Sequence, residues 1–308
     1  MRAALEDKTG EGLDSLARAA GIPIWLRKLP PEAFAEPIPA LPNSPEFRRQ
    51  VANYIPRSPK LAPIWLRAIA DAHAWGNDEL SIWIAREVSH RSIVKLRGLR
   101  LIAVWAWLSA NGPDTAVLPY APRWTSSMRY ETALRWAGAW RLALELHMCL
   151  GDEPIEDMWL GPGRESDYEF VPLQSKQDIL DEASYMKNCL RTYGVRVARN
   201  RCKLWSVRTD GKRVATLEIA CRGPDPCPRI VQIRTAGDGQ ASPEIWWAAH
   251  RWVRTHNLAD INTKALSWQE APIDRKRWIT YWRPYWLGKR RIPSWLPLSP
   301  SLSALNEL

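Results

Sequence analysis

Apolar residues recur at a spacing near 3.6 over Ile64–Trp75, Asp78–Arg91, Lys95–Ala110 and Ser127–Leu150, which predicts four helices. Asn77-Asp78 and Asn111-Gly112-Pro113 supply the breaks between them. Ahead of them, residues 1–20 read as a short amphipathic helix. From Pro23 to Pro63 ten prolines then predict loops and helical turns. Pro23-Ile24-Trp25-Leu26-Arg27 returns as Pro63-Ile64-Trp65-Leu66-Arg67, and two copies do not make a solenoid; proline at the first helical position ahead of an apolar face accounts for both. Beyond residue 173 the period changes. Gln174–Asn200 reads as one helix, whereas Lys203–Arg208 and Arg213–Cys221 alternate as strands about an Asp210-Gly211 hairpin turn. Arg229–Thr235 is a third strand, Ala236-Gly237-Asp238-Gly239 a loop, and Ser242-Pro243-Glu244 opens a helix to about His256.

The pattern predicts an α+β protein: a Pro-rich and helical domain over 1–150, an acidic linker over 151–173, an α-β-β-β-α module over 174–258 and a basic Trp-rich arm over 259–308. Within the strands, Trp205, Val207, Ala215, Leu217, Ile219, Val231 and Ile233 share the core face. Ser206, Arg208, Thr216, Glu218, Gln232 and Arg234 share the other, a polar face that alternation alone assigns to solvent. On that reading Glu218→Ala leaves folding intact. Glu218 and Gln232 are expected as cross-strand neighbours, as are Thr216 and Arg234. Cys189 and Tyr193 fall at i and i+4 on the preceding helix.

Charge sharpens this division. The chain carries 43 Lys+Arg against 33 Asp+Glu, yet residues 1–173 hold 20 basic and 21 acidic side chains. Residues 174–258 hold 15 and 8, and 259–308 hold 8 and 4, so the excess lies wholly in the C-terminal 135 residues. A field of one sign points to an anionic partner, most often nucleic acid. The alternative is internal compensation by the acidic stretch Asp152–Glu169. Arg191, Arg196, Arg199, Arg201, Lys203 and Arg208 cluster near one helix end and the first strand. Arg275, Lys276, Arg277, Trp282, Lys289, Arg290 and Arg291 interleave cations with flat rings in the arm. Such interleaving suits phosphate neutralisation with base stacking, and equally an arm whose rings pack inward under Arg stems.

The length suits one large or two modest domains. The longest strongly apolar stretch, Leu101–Ala110, is about half of a membrane span, and no basic-then-apolar leader opens the chain. Five cysteines at irregular spacing argue against a disulfide framework and for a reducing cytoplasm. His73, His90 and His147 lack partners at metal-ligand spacing. Cys202, Cys221 and Cys227 make a weak zinc set, because Cys221 and Cys227 are six apart in sequence. A nucleophilic Cys189 would need His250 or His256 to approach in space as its base.

One run of residues carries a family resemblance: Glu182-Ala183-Ser184-Tyr185-Met186-Lys187-Asn188-Cys189, then Tyr193, Leu204-Trp205-Ser206-Val207-Arg208, Ala215-Thr216-Leu217-Glu218-Ile219 and Val231-Gln232-Ile233-Arg234. Over about 180–254 this resembles the PcfJ-like proteins of conjugative plasmids and related mobile elements. The family's asparagine-containing loop is replaced here by Gly237-Asp238-Gly239-Gln240. The resemblance implies a site at Cys189, Tyr193, Glu218, Gln232 and Arg234 without naming a reaction. The order of elements is also similar to the PD-(D/E)xK nuclease core. On that likeness Glu218 holds Mg2+, Gln232 assists through its carbonyl, Arg234 is the cation, and Asp181 or Glu182 completes the set. The expected function is thus nucleic-acid association of a mobile-element protein in the cytoplasm, through a basic C-terminal half. The alternatives are a metal-dependent nuclease acting on DNA or RNA, and an adaptor whose helical half binds a protein partner.

Overall fold

A computed structural model describes residues 24–34, 40–89, 98–112, 121–221, 227–258, 261–266 and 275–292. Its described residues fall into two compact units. One lies within Met1–Trp140 together with Pro284–Ile292, the other within Arg141–Arg283. The expected helix over residues 1–20, His90, and Trp295 of the arm lie outside the described residues.

The first unit is helical. α1 (Pro45–Val51) starts at Ser44, whose Oγ accepts the Phe47 amide at 3.2 Å. α2 (Ala62–Trp75), α3 (Asp78–Ser89), α4 (Leu99–Asn111) and the start of α5 (Tyr130–Leu150) follow. They match the four periodic stretches apart from their ends. Trp65, Trp83 and Trp105 are wholly buried, and the indoles of Trp65 and Trp83 donate to the carbonyls of Ala85 and Met128. The repeated Pro-Ile-Trp-Leu-Arg has a packing role. Its first copy forms a 3-10 turn, Ile24–Lys28, and the rings of Trp25 and Trp65 meet edge to face at 5.7 Å.

The second unit is built on a six-stranded antiparallel meander: β1 (Gly163–Glu165), β2 (Tyr168–Pro172), β3 (Cys202–Thr209), β4 (Lys212–Ala220), β5 (Arg229–Thr235) and β6 (Gly239–Gln240) in sequence order. β3 to β5 sit where alternation places them, except that a bulge opposite Glu218–Ile219 turns Val231 to the other face of the sheet and gives Ile230 the core position expected for it. The β3–β4 turn carries φ of 50° at Asp210 and 73° at Gly211, as a two-residue hairpin requires.

The stretch expected as an acidic linker instead supplies β1 and β2, which pair onto β3 through Phe170↔Val207 and their neighbours. Burial explains it: Phe170 is fully buried and stacks on Trp252 with ring centroids 4.4 Å apart. Gly163 is needed there, since a Cβ would meet the Trp252 indole nitrogen at 2.4 Å. Likewise β6 occupies part of the expected loop.

α8 (Pro243–Arg254) covers one face of the sheet. Ile245, Ala248, Ala249, Trp252 and Val253 close on Trp205, Val207, Leu217, Ile219 and Ile233. The other face is also covered. α6 (Lys176–Met186) opens with a reciprocal Ser175–Asp178 capping box. A 3-10 turn, Leu190–Thr192, and α7 (Gly194–Ala198) follow. Ile179, Ala183, Leu190, Tyr193 and Val197 pack on Cys202, Leu204 and Ala220. The expected single helix over Gln174–Asn200 is therefore broken, because Lys187 adopts φ of 50° and ends α6. Cys189 and Tyr193 do not share a helical face. The polar strand face, expected in solvent, lies under this layer: Ser206, Thr216 and Glu218 are all buried.

The arm forms α9 (Arg275–Lys289). Trp278, Trp282, Tyr285 and Trp286 are buried, and the Tyr285 hydroxyl donates to the Trp75 carbonyl at 2.7 Å. Among the described residues no helix is long and apolar enough to cross a membrane.

Candidate functional site

The break after α6 creates the site. As the chain leaves Lys187 it places Asn188 and Cys189 over the middle of β4 and β5. They join Tyr193, Thr216, Glu218, Gln232, Arg234 and Asp238 in lining a small pocket. All five residues singled out from the sequence, Cys189, Tyr193, Glu218, Gln232 and Arg234, line this one pocket. The expected register holds, with Glu218 opposite Gln232 and Thr216 opposite Arg234.

Glu218 is the hub. Its Oε2 accepts the Tyr193 hydroxyl at 2.9 Å and the Gln232 amide at 2.7 Å, and its Oε1 pairs with the Arg196 guanidinium. Arg196 also lies 4.7 Å over the Tyr193 ring. The Gln232 amide reaches the Tyr193 oxygen at 2.7 Å, and the Gln232 carbonyl accepts Arg234 Nε at 3.5 Å. Burial and then the Glu218 charge hold the Tyr193 phenol well above its usual range, so it is a fixed donor.

A second buried acid, Glu182 on α6, accepts the Thr216 hydroxyl at 2.8 Å and pairs with Arg213 at 3.0 Å. Asn188 Nδ2, in the pocket wall, also donates to Thr216 at 3.1 Å. Burial raises the Glu182 carboxyl above its ordinary value, against the pull of Thr216, Ser206, Arg213 and Arg208. Sequence reasoning missed the roles of Arg213, Asn188 and Asp238 here, offered Glu182 only as a metal ligand of the nuclease alternative, and gave Arg196 to nucleic acid. The one signal available was Arg196 three residues after Tyr193, the spacing of neighbours on a turn of helix.

The donor set does not fit a catalytic metal. Both oxygens of Glu218 are taken by Arg196, Tyr193 and Gln232, while the Glu182 carboxyl is held by Thr216 and Arg213. Asp181 is exposed and held by Gln177 at 2.8 Å. Among the described residues no group of three His, Cys, Asp or Glu side chains could hold a metal ion. The zinc set fails with it: Cys202 is fully buried in the α6-side core, its thiol pushed up to about 12 by burial.

Thiol catalysis by a Cys–His pair also lacks its geometry. His250 stacks on Trp246, and His256 lies against the Trp252 carbonyl; both belong to the α8 layer, across the sheet from Cys189. The Cys189 thiol is exposed but held above its usual range by partial burial and the Asp238 charge, with Arg234 opposing.

The cations assigned to nucleic acid divide in the structure. Lys203 is buried beside Trp159, with its ammonium pKa lowered by burial. Arg199 donates to the Leu266 carbonyl at 2.9 Å, and Arg277 faces Asp152 at 3.6 Å. Lys289 donates to the His73 carbonyl, while Arg290 and Arg291 lie over Trp286 and Trp75. Trp282 is 1% exposed and offers no face to a base. Among the described residues of the arm, the buried tryptophans are thus not an open stacking surface. Part of the internal compensation weighed from the sequence is present, since Asp152 meets both Lys176 and Arg277. Arg201 and Lys276 are exposed. Arg191 reaches Ser184 at 2.8 Å, Arg208 leans on Ser206 at 3.3 Å, and the Arg275 side chain lies outside the described residues.

No family model, curated protein or solved structure matches this chain.

Proposed function

We propose that the chain is a cytoplasmic, nucleic-acid-associated protein of a mobile genetic element that binds phosphate backbone at the α6 side of its sheet. One observation carries this reading. Arg196, Arg208, Arg213 and Arg234 gather about two buried carboxylates, Glu182 and Glu218, with the exposed Asp238 in the wall of the adjoining pocket, so the guanidinium groups outnumber the carboxylates by one. Arg196 and Arg213 are committed to their ion pairs. Arg208 and Arg234 are only partly buried, and each spends Nε on a hydrogen bond to a neutral side chain, Ser206 and Gln232 respectively. Guanidinium forks of this kind hold phosphate oxygens in pairs. Exposed Lys187, Arg201 and Lys212 widen the basic surface. The resemblance to PcfJ-like proteins supports the mobile-element setting.

Binding of this type is salt-dependent and largely independent of sequence. The test is fluorescence anisotropy of labelled single- and double-stranded DNA and RNA at two salt concentrations. Tight binding that weakens with salt, and that weakens further in Arg208→Ala and Arg234→Ala, is the expected result. Absence of binding at low salt overturns it. With magnesium present, a denaturing gel of the same samples is expected to show intact strands, because Glu218 is already fully engaged.

A further inference from the structure

Across the sheet from that pocket, α8 and the β1–β2 hairpin flank an open groove with a different character. Arg251 ties its walls together, pairing with Glu165 at 3.0 Å and donating to Ser166 at 2.8 Å. α8 buries its opposite side in the core, so Trp247 projects away from the sheet with 70% of its surface exposed. An indole is the largest apolar side chain, and one left so open beside a groove marks a contact surface. Tyr168 lines the same groove, with Asp167 and Glu244 as exposed carboxylates at its edge. Because the charge of Arg251 is answered by Glu165, the groove is acidic in a chain of net charge +10. This disfavours phosphate and favours a cationic ligand.

We propose that this groove binds a basic, proline-containing peptide segment of a partner protein. Flat aromatic walls accept pyrrolidine rings, and a polyproline helix reaches the groove already ordered, so little conformational entropy is lost on docking. Arginine or lysine of the ligand lies over the Trp247 face and against Asp167 and Glu244, joining cation–π attraction to ion pairing. The site is separate from the anion-binding surface and does not depend on it.

The test uses the full chain and a fluorescein-labelled decapeptide of five Arg-Pro repeats, read by anisotropy. The Arg-Pro peptide binds, a Glu-Pro decapeptide does not, and an Arg-Gly decapeptide binds more weakly. Trp247→Ala weakens the Arg-Pro peptide by at least about tenfold, as loss of a central tryptophan anchor does. The pair Asp167→Asn with Glu244→Gln also weakens it and flattens its salt dependence. Thermal melts of both variants confirm an intact fold. Equal binding of Arg-Pro and Arg-Gly peptides to the wild type and to Trp247→Ala overturns the proposal as unspecific charge attraction. Loss of oligo-dT binding in Trp247→Ala overturns it in favour of base stacking.

Discussion

The two faces of the sheet use the same strands differently. Toward α8, Trp205, Val207, Leu217, Ile219 and Ile233 meet Trp252 and its neighbours in an apolar layer. Toward α6, Ser206, Thr216, Glu218 and Gln232 meet Tyr193, Arg196 and Glu182 in a hydrogen-bonded one. The first face stabilises by removing apolar area from water. The second gains little net stability from its buried charges, whose desolvation offsets most of their attraction. It holds instead a fixed array of donors, acceptors and guanidinium groups. Both faces carry apolar packing, and the α6 face alone adds this polar array.

The comparison breaks most visibly through Trp252, which stacks on Phe170 and meets Trp205 edge to face. Trp252→Ala is expected to cost about 4 kcal/mol in urea unfolding, the range of buried aromatic truncations. Glu218→Ala follows at about 2 kcal/mol, because it strands the Tyr193 hydroxyl, the Gln232 amide and a partly exposed Arg196 without their acceptor. This reverses the expectation from the sequence that the substitution is harmless. An unchanged unfolding midpoint for Glu218→Ala would show that the polar layer is dispensable to folding.

A pH titration sharpens the contrast. Burial raises the Glu182 carboxyl above its unfolded value, so the folded state binds the extra proton. Its contribution to stability is greatest below the unfolded pKa and falls as pH rises through the folded one. Glu182→Gln is expected to flatten that part of the stability profile above about pH 4.3, the ordinary glutamate value. An identical slope in wild type and variant contradicts the assignment.

What was legible in the sequence follows the same division. Period-two alternation and Asp210-Gly211 located β3 to β5, and the register Glu218–Gln232 followed from them, since both signals are local. β1 and β2 were not legible: their Gly, Pro and acidic residues read as a boundary, and only Phe170 in contact with a distant Trp252 makes them strands. The end of α6 was hidden because Lys187 takes a left-handed conformation without a glycine to announce it. A polar strand face reads as solvent until the layer above it is known, so the site residues could be named while their burial could not. The arm misled for a similar reason, as interleaved Arg and Trp have one composition whether the rings face water or the core.

Smaller effects separate binding from folding. Arg208→Ala and Arg234→Ala are each expected to weaken nucleic-acid binding about fivefold, roughly 1 kcal/mol, with little change in stability. Trp247→Ala, on the α8 outer surface, is expected to change stability by less than about 0.5 kcal/mol and to leave nucleic-acid affinity unaltered. A melt and an anisotropy titration on the same sample check both statements.

The central claim is that the α6 side of the sheet is an anion-binding surface. The most direct measurement is the slope of log affinity against log salt for a single-stranded oligonucleotide, in the wild type and in the double variant Arg208→Ala with Arg234→Ala. Loss of two phosphate contacts predicts a slope shallower by about two, or somewhat less on a single strand. An identical slope in both proteins would contradict the account, because the phosphates would then be held elsewhere.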